Sequence, residues 1–77
     1  MGTPKTDDNA AIAGKVFEIR HNQLGLTQRE LADILKVDPV NVSRWERGET
    51  RPKMKNIRAL AKLAKRPVAW FFEEVAA

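Results

Sequence analysis

The chain has no cysteine and only one histidine, His21. Without thiols there is no disulfide staple and no thiolate metal site. A lone imidazole cannot build a metal centre or a Ser/His/Asp arrangement, and His21 reads as solvated near a helix end. No apolar run is long enough to span a membrane and no secretory leader is evident, so the expected location is the cytoplasm. Strand patterning, internal repeats and low-complexity segments are missing too. Seventy-seven residues make one domain, too small to house a deep cleft and a full core together, which argues against most enzymes. The carboxylates, including Asp7-Asp8 and Glu73-Glu74, lack a partner base, a Gly-rich loop or metal spacing. No catalytic residue, cofactor, metal or small-molecule substrate is expected.

What the chain does have is positive charge. The net charge is +4 and the pI about 9.9, which suits a nucleic-acid partner. The placement says more than the total. Arg44, Arg47, Arg51, Lys53 and Lys55 cluster in one stretch, interrupted only by Glu46 and Glu49.

Helical periodicity organises the rest. Residues 1–7 are small and polar around Pro4 and read as a disordered leader, with the domain covering 8–77. Ile12, Val16 and Ile19 follow the i, i+4, i+7 pattern, with Phe17 beside them, so a first helix is expected from about Asp8 to Asn22 or Gln23. Leu24-Gly25-Leu26 looks like its end, since Gly25 can turn left-handed. A fourth helix, from Lys53 or Met54 to Ala64, carries an apolar stripe of Ile57, Leu60, Ala61 and Ala64, with Lys55, Arg58 and Lys62 on the wet side. Lys65-Arg66 breaks it, and Pro67 starts an expected fifth helix bearing Val68, Trp70, Phe71, Phe72 and Val75. Three consecutive rings cannot all face one side, so one or two fill the core and the remainder is exposed.

The most informative stretch lies between these, from Thr27 to Gly48. Thr27-Gln28-Arg29-Glu30 has the form of a capping box. Leu31, Ile34 and Leu35 define a buried stripe on a helix spanning Gln28–Lys36. Asp38 is a good N-cap and Pro39 suits the first helical position of a helix spanning Pro39–Arg47. Val42 and Trp45 give that helix an inward face, and Gly48 stops it. Trp45 could resemble a base-stacking residue, but its spacing with Val42 makes it core.

With Thr27-Gln28, Leu31-Ala32, Val37, Val42, Ser43-Arg44-Trp45-Glu46 and Gly48, this stretch resembles the helix-turn-helix of the Xre/Cro and phage-repressor family. The resemblance implies an all-α, five-helix, lambda-repressor-like fold with the motif at helices 2 and 3. It departs from the family at Lys36, where Gly is usual in the turn. The distance from Ile19 to Gly25 is also one residue longer than the family pattern. The resemblance further implies that Gln28 bonds a phosphate and that Glu46 pairs inward with Arg20, a buttress shared with Trp45.

In such a motif the second helix enters the major groove of double-stranded DNA. Its outward face here carries Pro39, Val40, Asn41, Ser43, Arg44 and Arg47. Arg44 can donate two parallel bonds to guanine, or else hold a phosphate. Val40 can pack on a thymine methyl, or is a stray exposed valine. Asn41 can read adenine or, preferably, hold a phosphate. Gln28, Ser43, Arg47, Thr50, Arg51 and Lys53 are the phosphate candidates. Leu63, Trp70 and Phe72 are the candidate dimer surface, being the aromatic residues of the fifth helix left over after the core is filled and the leucine beside them; the resemblance is consistent with this, since related repressors pair through their C-terminal ends. The expected function is a homodimeric transcriptional regulator of repressor type on a palindromic operator. A protein-interaction adaptor or antitoxin-type module is the alternative, disfavoured by the outward Arg/Asn set. Single-strand binding needs aromatics on a basic groove, and here the aromatics lie away from the basic cluster.

Overall fold

The computed structural model describes residues 6–73, with side chains from Asn9 onward. It contains four α-helices and, among the described residues, no strand: α1 (Thr6–Phe17), α2 (Gln28–Leu35), α3 (Pro39–Glu46) and α4 (Met54–Ala64). A π-helical turn, Glu18–Gln23, extends α1, and a 3-10 turn, Val68–Phe72, follows α4. The core is built from Ile12, Val16, Ile19, Leu31, Val42, Trp45, Ile57, Leu60 and Phe71. Helix α1 begins at Thr6 rather than near Asp8. Most of the expected leader lies outside the described residues, as do Glu74 and Val75.

The π-turn accounts for the extra residue between Ile19 and Gly25. In an uninterrupted α-helix, position 23 would follow Ile19 on the inward face, and that residue is Gln. Instead the Leu24 N–H reaches back five residues to the Ile19 carbonyl at 2.9 Å. The wider turn packs Leu24 against the core and leaves Gln23 exposed. Gly25 then adopts φ 66°, and the Leu26 N–H closes on the Arg20 carbonyl at 2.8 Å.

The capping box closes both ways. The Glu30 N–H donates to Thr27 Oγ1 at 3.0 Å, and the Thr27 N–H to Glu30 Oε1 at 2.8 Å. Leu31 and Ala32 are buried and Leu35 packs on the core, but Ile34 is 48% exposed, contrary to the expected stripe. The reason is angular. At about 100° per residue, Leu31, Leu35 and Ala32 span an arc of about 100°, and Ile34 falls about 60° beyond its other edge.

Three helices end in a left-handed residue whose neighbours close Schellman-type bonds. After α3 it is Gly48, at φ 75°; after α2 and α4 it is lysine, Lys36 at φ 60° and Lys65 at φ 57°. At the motif turn, Val37 donates to the Ala32 carbonyl at 3.0 Å and Lys36 to the Asp33 carbonyl at 3.3 Å. A side chain held left-handed costs about 1 kcal/mol or more relative to Gly. Lys36→Gly is therefore expected to stabilise the domain by about 1 kcal/mol, read as a rise in melting temperature of roughly 4–8 °C. An unchanged or lower melting temperature would show that the lysine stem recovers the cost through packing.

The expected fifth α-helix is replaced by the 3-10 turn. The Lys15 ammonium donates to the Trp70 carbonyl at 2.5 Å and the Glu73 carbonyl at 2.6 Å, taking acceptors that a continuing helix would use. Glu73 is already extended, at ψ 139°. With three residues per turn, Val68 and Phe71 eclipse on one face; Phe71 is fully buried and Val68 packs against the same core.

Candidate nucleic-acid interface

The inward face of α3 fixes its outward one. Asp38 accepts the Val40 N–H at 2.9 Å, Pro39 occupies the first turn, and Val42 and Trp45 are buried. Val40, Asn41, Arg44 and Arg47 therefore face solvent, with Pro39 and Ser43 half-buried. Val40 is 52% exposed, an apolar surface at the start of an otherwise polar face. Among the described residues, the Arg44 guanidinium makes no hydrogen bond or ion pair, so it carries its five donors free.

Glu46 is a junction of three segments. Its carboxylate accepts a two-pronged contact from Arg20, Nε to Oε2 and Nη2 to Oε1, the latter at 3.0 Å. Gln28 Nε2 donates to the same Oε1 at 3.0 Å, and Arg20 Nη1 donates to the Leu26 carbonyl at 2.7 Å. The carboxylate is thus met by donors and the guanidinium by acceptors, the condition for holding such a pair with little exposure. The Arg20–Glu46 contact anticipated from the sequence is present, and Trp45 packs beside it in the core. The link from Gln28 was not anticipated. It places that amide at the start of α2 under the control of α3, with its remaining polar atoms available to a ligand.

Arg47 is engaged differently. It donates to Ser43 Oγ at 2.7 Å and to both Glu49 oxygens, at 2.8 and 3.3 Å. The hydrogen bond with Glu49 raises the Arg47 pKa, and the same bond from Arg47 lowers that of Glu49. Both groups are exposed, so the pair adds little stability. Ser43 and Arg47, two phosphate candidates, are thereby tied to an acid that a phosphate would have to displace.

Beyond α3 the surface dips into a recess of about 370 Å³ lined by Val37, Asn41, Trp45, Thr50, Arg51, Lys53, Lys55 and Asn56. Three phosphate candidates, Thr50, Arg51 and Lys53, meet here. Asn41 lines the recess beside them. The Arg51 guanidinium also lies 5.9 Å over the Phe72 ring. Asn56 is buried and went unnoticed in the sequence. The available signal was its place beside Ile57 on the α4 stripe, a polar residue at a core-facing position.

The dimer candidates separate. Leu63 and Trp70 are half-buried against the core. Trp70 has cations near its ring, Arg66 at 4.1 Å and Lys15 at 5.3 Å. Phe72 is 45% exposed. No group of His, Cys, Asp and Glu among the described residues could hold a metal, and no described helix is long and apolar enough to cross a membrane.

A capped, crossing helix pair with a free arginine on the outer face of its second helix defines a helix-turn-helix domain. The family model described as Helix-turn-helix matches residues 17–71. The chain belongs to that family, of Xre/Cro type, whose members are DNA-binding transcription regulators rather than enzymes. It is similar to the HTH-type transcriptional regulator DicA of Escherichia coli (strain K12), 42% identical over 57 residues, covering 74% of this chain and 42% of that protein. It is also similar to Repressor protein C2 of Salmonella phage P22, 35% identical over 54 residues, covering 70% of this chain and 25% of that protein. The match thus spans less than half the length of either relative. No solved structure gives a significant match.

Proposed function

We propose that the chain is a sequence-specific, double-stranded DNA-binding regulator, a repressor that acts by occupying a palindromic operator as a homodimer. The observation that carries this reading is the outer face of α3. Arg44 and Val40 stand free there on a helix whose far end is pinned by Glu46 to the π-turn and the start of α2. Arg44 reads guanine and Val40 meets a thymine methyl, while Gln28, Asn41, Ser43, Arg47, Thr50, Arg51 and Lys53 hold the backbone. The regulator and repressor named above, as relatives of similar sequence, support the regulatory role. Selection of bound sites from a random duplex pool tests it. Enrichment of an inverted repeat is the expected result; recovery of unselected sequence would return the chain to the adaptor reading.

One short recognition helix reads too few base pairs to find a site in a genome. Two related by a dyad sit about 34 Å apart on one face of the duplex. Phe72, the exposed ring at the C-terminal end, is our candidate centre of that contact, with Leu63 and Trp70 behind it. Phe72→Asp is expected to abolish cooperative binding to the palindrome while leaving the monomer folded. Sedimentation and gel-shift titration decide this, and retained cooperativity would move the interface elsewhere.

A further inference from the structure

We propose that Lys15 is the positioning residue of the C-terminal segment. Its ammonium latches Val68–Phe72 as a 3-10 turn with Phe72 outward, and without it the segment relaxes to an α-helix that draws Phe72 toward the core. The latch is read from the fold alone; its consequence for pairing rests on the reading of Phe72 as the dimer contact.

Five residues is long for a 3-10 run, whose hydrogen bonds are poorer than those of an α-helix, so something outside the segment must favour it. The segment's own sequence favours the alternative. At about 100° per residue, Val68, Phe71 and Phe72 stand at i, i+3 and i+4 and share an arc of about 100°, the apolar stripe of an amphipathic helix. At three residues per turn that stripe splits: Val68 and Phe71 eclipse, and Phe72 stands about 120° away. The exposures follow the split arrangement, with Phe71 1% and Phe72 45% exposed.

Lys15 supplies the bias. From α1, half-buried, its Nζ donates to the Trp70 carbonyl at 2.5 Å and to the Glu73 carbonyl at 2.6 Å. The Glu73 N–H reaches back three residues to the Trp70 carbonyl, at 3.4 Å, and Glu73 is extended. In an α-helix that N–H would donate to Ala69 instead, and Glu73 would leave the conformation that turns its carbonyl to Lys15. Hydrogen bonds from a charged donor are about twice as strong as neutral ones, and here two of them act on one short segment. The ammonium also lies 5.3 Å from the Trp70 ring, which Arg66 approaches to 4.1 Å. Trp70 meets Phe71 edge to face at 5.1 Å, so the residue that is latched is the one packed on the buried ring.

Nuclear Overhauser contacts in the full chain test this. Contacts from an Hα to the amide two residues on mark a 3-10 turn, and to the amide four residues on an α-helix. Wild type is expected to show the first kind across residues 68–72. Lys15→Met keeps the stem and removes the donors; it is expected to lose them and gain the contact from Val68 Hα to the Phe72 amide. Lys15→Arg, which keeps charged donors, is expected to retain the wild-type pattern. An unchanged pattern in folded Lys15→Met overturns the latch, as does loss of both kinds of contact. An arginine variant that switches like the methionine one overturns it too, by assigning the effect to the stem. If Lys15→Met does not fold, Lys15→Gln, with one neutral donor, decides by the same contacts. These measurements need no DNA, so failure of the DNA-binding reading leaves them in place. Cooperative binding to the palindrome is then measured in the switched variant. Its loss upholds the link from latch to pairing, and its retention overturns that link while the latch stands on the contacts.

Discussion

Arg20→Met is expected to destabilise the domain by about 3–5 kcal/mol, the cost of leaving a buried carboxylate without its cation. The Arg20 and Glu46 side chains are only 10% and 7% exposed, so water cannot easily replace the lost partner. Gln28 would remain as a donor to Glu46, and the Leu26 carbonyl would lose its guanidinium. Adding Glu46→Gln is expected to recover part of the loss, because no charge is then stranded. Thermal melting of both single variants and the double variant measures the coupling. Strictly additive losses would mean that the contact contributes nothing beyond its separate halves.

Arg44→Ala is expected to cost about 1–3 kcal/mol on the operator and to relax preference at one base pair per half-site. Arg44 has no partner within the chain among the described residues, so its truncation is expected to leave the fold unaltered. Arg51→Ala provides the contrast: it is expected to weaken all sequences alike and reduce the salt slope by about one unit. Competition binding with single-base operator variants separates the two. Unchanged discrimination in Arg44→Ala would reassign that guanidinium to a phosphate.

Much of this architecture was legible because its signals are local. The Thr27 box, the Asp38-Pro39 start and the Val42/Trp45 spacing each depend on residues within a turn or two of one another, and all three appear as read. The stripe on α4 follows for the same reason. Ile34 is not legible in this way, because a three-residue step from Leu31 can lead to either edge of the buried arc and only the packing of α2 on α3 decides which. The final segment departs from the expected α-helix because Lys15, more than fifty residues away in sequence, takes its carbonyls. The recess was invisible for a related reason. Asn56 is one polar letter in an apolar stripe, and only the approach of Trp45 and the loop around Arg51 makes it the base of a cavity.

The π-turn bears on how this lineage can change in length. One residue added to a straight α-helix rotates everything beyond it by about 100° and shifts it by about 1.5 Å. Such an insertion in α1 would swing Ile12 and Val16 out of register with Arg20 and its contact to Glu46. Glu18–Gln23 absorbs the surplus inside one wide turn, so both sets face inward together. The segment is thus a buffer for indels, letting the helix that supports the DNA-facing surface vary in length without the surface itself moving.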